Sequence, residues 1–119
     1  MNNVSIMGRF CFDHDINATK MGKKVLNNVL AVPREYLNAD GERESDFIRV
    51  TAYGNTADFL EKYFAKGSLV AIEGTINTSS WEGDKGEKRN STYITVRNVS
   101  FTGEPQAEQK PKNRRYNKR

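Results

Sequence analysis

The 119-residue chain has one cysteine, Cys11, and one histidine, His14. A lone cysteine cannot close an internal disulfide, which points to a reducing, cytoplasmic setting. Cys11 has no histidine partner at a recognisable spacing and reads as a structural strand thiol, not a nucleophile. His14 stands between Asp13 and Asp15 with no second histidine, so a metal site has weak ligand support and a solvated loop is expected there. No phosphate-loop lysine motif or dinucleotide fingerprint occurs. No apolar run approaches the ~18 residues of a membrane span, and Met1-Asn2-Asn3 opens no leader pattern. An enzyme reading, a cofactor and a metal therefore have no residues to assign, and no membrane partner is expected.

Net charge is also missing from most of the chain. Residues 1–103 carry 13 Lys+Arg against 13 Asp+Glu, whereas residues 104–119 carry 6 against 2 and so hold the whole excess of +4. Hydrophobic residues make up 36% and the mean hydropathy is −0.77, low for a wholly packed chain. The segment 104–119 has no aliphatic residue larger than alanine and cannot offset its ordering entropy, so a disordered basic tail is expected after a single domain over 1–103.

What is present is strand patterning. Val4, Ile6, Gly8, Phe10 and Phe12 alternate with polar and small residues, a half-buried strand in which Gly8 marks a bend or bulge. Residues 13–22 read as a polar loop, closed by Lys20, Lys23 and Lys24 around Gly22; a solvated loop and a phosphate contact are both open there. Residues 25–32 form a second strand with Leu26, Leu30 and Val32 on one face, and Pro33 marks where regular pairing ends. Asp40-Gly41 is a hairpin turn signal, so Tyr36 stands on the outgoing side of a long arm.

The run from Phe47 to Tyr53 is the strand on which the rest is organised. Ile48, Val50 and Ala52 point inward, while Phe47, Arg49, Thr51 and Tyr53 share the other face. Two rings with a guanidinium between them suit unstacked bases and phosphates. A helix follows, with Asn55 as its expected N-cap, Asp58 in its first turn, Ala57, Leu60 and Phe64 as its apolar stripe and Gly67 as its stop. Phe59 and Tyr63 widen that stripe into core. Residues 69–76 form a fourth strand with Val70, Ile72, Gly74 and Ile76 on one face. Trp81, the single tryptophan, precedes the charged glycine-rich turn 82–89, and that setting favours exposure and ligand stacking. A fifth strand runs over 91–102, with inward parity restored by a bulge near Asn98.

Three strands, a helix and two strands, with two long hairpins, predict an all-β chain with one helix: a five-stranded OB-fold barrel. Duplex DNA hides its base faces, so a surface of rings and cations favours single strands. Tyr36, Phe47, Tyr53 and Trp81 are the expected stacking residues. Arg49, Lys20, Lys23, Lys24 and Arg89 are the expected phosphate contacts, which makes binding salt-dependent.

The segments Asn3-Val4-Ser5-Ile6-Met7-Gly8-Arg9-Phe10, Phe47-Ile48-Arg49-Val50-Thr51-Ala52-Tyr53-Gly54 and Tyr63-Phe64-Ala65-Lys66-Gly67-Ser68-Leu69-Val70-Ala71-Ile72-Glu73-Gly74 resemble the bacterial and phage single-stranded DNA-binding proteins. The last, a helix end followed by Lys-Gly-Ser, a strand and Glu-Gly, is the most specific, and the likeness covers about 1–103. It implies an OB fold, a homo-oligomer (commonly a tetramer, less often a dimer) and sequence-independent coating of single-stranded DNA in replication, recombination and repair. In that family rings stack on bases at four places, which Tyr36, Phe47, Tyr53 and Trp81 hold here. Bacterial members usually end in an acidic tip closing with Pro-Phe that recruits replication and repair proteins. This chain ends Arg114-Arg115-Tyr116-Asn117-Lys118-Arg119, so that recruitment is not carried over; the basic tail is expected to add non-specific phosphate attraction. A short member with this tail points to a phage or mobile-element source. An RNA-binding or primosome-type OB protein and a protein-interaction module are the alternatives.

Overall fold

Apolar alternation lays down β1 (Val4–Phe10), β3 (Lys24–Leu37), β4 (Arg43–Tyr53), β5 (Leu69–Glu82) and β6 (Lys88–Ser100), with α1 (Gly54–Tyr63) between β4 and β5. A further strand, β2 (Asp15–Ala18), precedes β3. The computed structural model describes residues 1–104. In hydrogen-bonded order the strands run β1-β5-β6-β4-β3-β2, and β1 also pairs with β3, which closes five of them into a barrel. All neighbours are antiparallel except β4 and β6, which run parallel at Val50↔Ile94 and Thr51↔Thr95. This closed barrel with its helix between the third and fourth barrel strands is the OB fold the pattern predicts.

The inward residues Phe10, Leu26, Leu30, Val50, Val70, Ile72, Ile94 and Val96 form one core with Ala57, Leu60 and Phe64 of the helix region. Closure demands tight strand approaches at two glycines. A Cβ on Gly8 would stand 2.6 Å from the Ala31 carbonyl oxygen, where β1 passes from β5 to β3. A Cβ on Gly74 would stand 2.0 Å from the Thr95 carbonyl oxygen. There the register steps from Glu73↔Asn98 to Gly74↔Val96, leaving Arg97 over as the expected bulge beside Asn98.

Several local expectations are corrected. The 13–22 segment is not all loop, because Asp15–Ala18 pairs with Lys24–Asn27 through backbone bonds that need no apolar alternation. Phe12 leaves the strand pattern: β1 stops at Phe10, and Phe12 is 59% exposed. Asn55 is not the N-cap and Asp58 is not in the first turn. Tyr53 takes the cap position without a side-chain bond, and Gly54, at φ +57°, turns the chain straight into the helix. The helix stops at Tyr63, before Gly67, as Phe64 extends to send its ring into the core.

Gly67 instead makes a tight turn, φ +88°, whose amide donates to the Phe10 carbonyl at 2.8 Å. The buried Ser68 hydroxyl accepts from the Ala65 amide at 3.0 Å. That is what the Lys-Gly-Ser segment does physically: it fastens the start of β5 to the end of β1. Ile76, still paired with the core residue Ile94, does not reach the core and is 48% exposed, as it lies beyond Gly74, where the pairing of β5 with β1 ends. Thr51, expected outside, is buried with its hydroxyl on the Asn27 side-chain oxygen at 2.8 Å.

Both arms form as read. The first is zipped from Val32↔Asp46 to Leu37↔Arg43 with a shift between Pro33 and Leu37, and Arg34 ties it by pairing with Asp46 at 2.9 Å. The second runs from Thr78↔Thr92 to Glu82↔Lys88. The disordered tail expected from residue 104 onward lies outside the described residues, apart from Glu104. Its carboxylate pairs with Arg9 at 2.7 Å, and that bond holds it below the usual carboxylate range.

Candidate nucleic-acid interface

Two adjoining hollows border β4. The first is lined by Phe12, Arg49, Tyr53, Trp81 and Tyr93. The second is more apolar, lined by Phe47, Ile48, Ile76, Ile6 and Val4. Val29, Arg49, Ser91 and Tyr93 belong to both, so the two form one continuous surface. Strand alternation places Phe47, Arg49 and Tyr53 on this wall, and the β5–β6 arm brings Trp81 to it.

Arg49 is the hinge of the surface. One guanidinium nitrogen donates to the Ser91 hydroxyl at 2.8 Å, which fixes the group across the β4–β6 seam. Among the described residues no carboxylate lies within ion-pair distance of it. A fixed, unneutralised guanidinium between rings retains its capacity for a phosphate.

Three of the four expected rings share this surface: Phe47 is 69%, Trp81 49% and Tyr53 38% exposed. Tyr36, 70% exposed, stands apart from both hollows on the first arm beyond Pro33. The cations divide differently from the expectation. Lys23 holds its ammonium 5.8 Å from the centroid of Tyr53, within cation–π range of that ring. Lys24 turns away from the cleft to Asp58, at 2.8 Å, and to Glu61 on the helix. Those two carboxylates, Asp58 first, raise its pKa above the ordinary lysine value. Arg89 lies across the arm from Trp81 and pairs with Glu87 at 3.2 Å. Lys20 is exposed on the turn before β3. Phe12 and Tyr93 were missed as lining residues: strand parity assigns the first to the core, and nothing local marks the second.

The profile of the single-strand binding protein family matches residues 1–102. The chain belongs to this family. Members of the single-strand binding protein family similar to it include a Staphylococcus aureus protein named "Single-stranded DNA-binding protein 1". It is 33% identical over 101 residues, 85% of this chain and 65% of the relative. A Staphylococcus aureus "Single-stranded DNA-binding protein 2" is 32% identical over 117 residues, 98% of this chain and 70% of the relative. A Bacillus cereus "Single-stranded DNA-binding protein" is 36% identical over 101 residues, 85% of this chain and 59% of the relative. The chain thus spans about two thirds of the length of the relatives it matches.

No helix of the described residues is long and apolar enough to cross a membrane. Among those residues no group of three or more His, Cys, Asp or Glu side chains is placed to hold a metal ion.

Proposed function

We propose that this chain is a sequence-independent single-stranded DNA-binding protein, not an enzyme, that coats and protects DNA in replication, recombination and repair. The observation that carries the reading is Arg49, unpaired by any described carboxylate and held in a cleft between exposed rings. Family membership and the printed names of the relatives support the same ligand. Phe47, Tyr53 and Trp81 offer π-faces to successive bases, and Tyr36 extends the track along the first arm. Arg49, Lys23, Lys20 and Arg89 attract the phosphates. Lys24, already engaged by Asp58 and Glu61, contributes less. The basic residues beyond 104 add attraction without sequence reading. The protein acts in the cytoplasm as a homo-oligomer, most simply a tetramer.

The decisive experiment is competition against a labelled oligo(dT), read by fluorescence anisotropy at fixed salt. Unlabelled single strands of unrelated sequence displace the label with similar midpoints, while duplex of the same length competes poorly. Equal displacement by duplex contradicts base stacking. Stronger displacement by matched RNA than by DNA moves the ligand to RNA.

A further inference from the structure

We infer that Phe12 is a fifth stacking ring of the interface, taking a base that the four expected rings do not. The inference rests on the single-strand reading above and extends it to a residue outside the aromatic set. Of the six phenylalanines, Phe10, Phe59, Phe64 and Phe101 pack in ring pairs, whereas Phe12 and Phe47 pair with no ring among the described residues. Phe12 is 59% exposed and lines the same cleft as Arg49, Tyr53 and Trp81.

An exposed ring on a loose loop would carry little weight, but this backbone is anchored. The Cys11 amide donates to the Val29 carbonyl at 2.9 Å. The Phe12 carbonyl accepts from the side-chain amide of Asn28 at 2.9 Å. Asn28 is itself buried, and its oxygen accepts from the Val29 amide at 2.7 Å. A ring presented by a backbone already bonded loses little freedom when a base settles on it. Local charge selects what settles there. Asp13 and Asp15, next to Phe12 in the chain, also line the cleft, and carboxylates repel a phosphate. A strand passing these carboxylates therefore turns its bases to the ring, while its backbone is drawn to Arg49.

The test compares Phe12→Ala, Phe12→Leu and Phe12→Tyr with the unaltered chain in oligo(dT) titrations, with thermal unfolding as a control on folding. Stacking in single-strand-binding proteins, measured by alanine substitution, corresponds to about fivefold or more in Kd, so Phe12→Ala is expected to weaken binding by at least about that factor. Phe12→Leu weakens it likewise, because it keeps apolar volume and loses the π-face, while Phe12→Tyr keeps the wild-type affinity. The unfolding midpoints stay together, as the ring is largely outside the core. Wild-type affinity in Phe12→Ala or in Phe12→Leu overturns the inference and leaves the single-strand reading intact. An unaltered chain that ignores oligo(dT) defeats both. Should the variants misfold, photocrosslinking of the unaltered chain to a halouracil oligomer is expected to yield an adduct on Phe12; adducts confined to other rings count against it.

Discussion

The imidazole of His14 bridges β3 and the chain just after α1. Its Nε2 lies 2.8 Å from the Phe64 carbonyl and so donates, which leaves Nδ1 to accept from the Asn28 amide at 3.0 Å. Its ring also meets Phe10 edge-on, with centroids 4.8 Å apart. The same Asn28 amide holds the Phe12 carbonyl, so one polar cluster secures both the barrel end and the edge of the cleft. Replacing His14 with alanine strands a part-buried carbonyl and an amide, and such unmet groups cost about 1–3 kcal/mol each. Urea unfolding of His14→Ala is expected to show a loss of that order; an unchanged midpoint contradicts the bridging role. This cluster was not legible in the sequence. A lone histidine between two aspartates reads as solvated, and its carbonyl partner lies 50 residues away. Arg49 was legible for the opposite reason: strand parity alone sets it between two rings. Parity could not show that helix carboxylates claim Lys24 while Arg49 has no such neighbour among the described residues.

At the scale of elements, the barrel strands and both arms follow from alternation and turn chemistry, and these signals are local. Asp40-Gly41 and Gly86 close the arms with φ +78° at Gly41 and +80° at Gly86, a conformation glycine adopts without penalty. β2 was invisible because an edge strand held by backbone bonds needs no apolar period. The strand ends at Tyr53 as expected, but the helix starts one residue earlier than its best capping side chain, because Gly54 at φ +57° makes the turn itself and no side-chain cap is used. Gly74 belongs to this scale as well, since the β5–β6 register shift depends on it. A methyl there meets a backbone carbonyl that cannot swing aside as a side chain could. Overpacking of this kind costs about 1–3 kcal/mol. Gly74→Ala is expected to lower the thermal midpoint clearly, and a midpoint equal to wild type contradicts the close approach.

Over the whole molecule, a charge-neutral barrel carries a surface assembled from residues far apart in sequence. Tyr53 and Arg49 are neighbours on one strand, but Trp81 and Tyr93 arrive through the long β5–β6 pairing, and Phe12 through the loop after β1. Spacing along the chain cannot reveal such convergence. Of the rings that the resemblance and strand parity single out, Phe47, Tyr53 and Trp81 reach this wall and Tyr36 stands apart, while Phe12 and Tyr93 carry no such expectation. The central claim is that bases stack on this wall. Trp81 is the only tryptophan and therefore reports on it directly. Titrating the chain with oligo(dT) while following Trp81 emission and anisotropy of the labelled oligomer together tests the claim. Saturable quenching is expected, with the same midpoint as the anisotropy and a shift to weaker binding as salt rises. Saturated binding with Trp81 emission unchanged contradicts it.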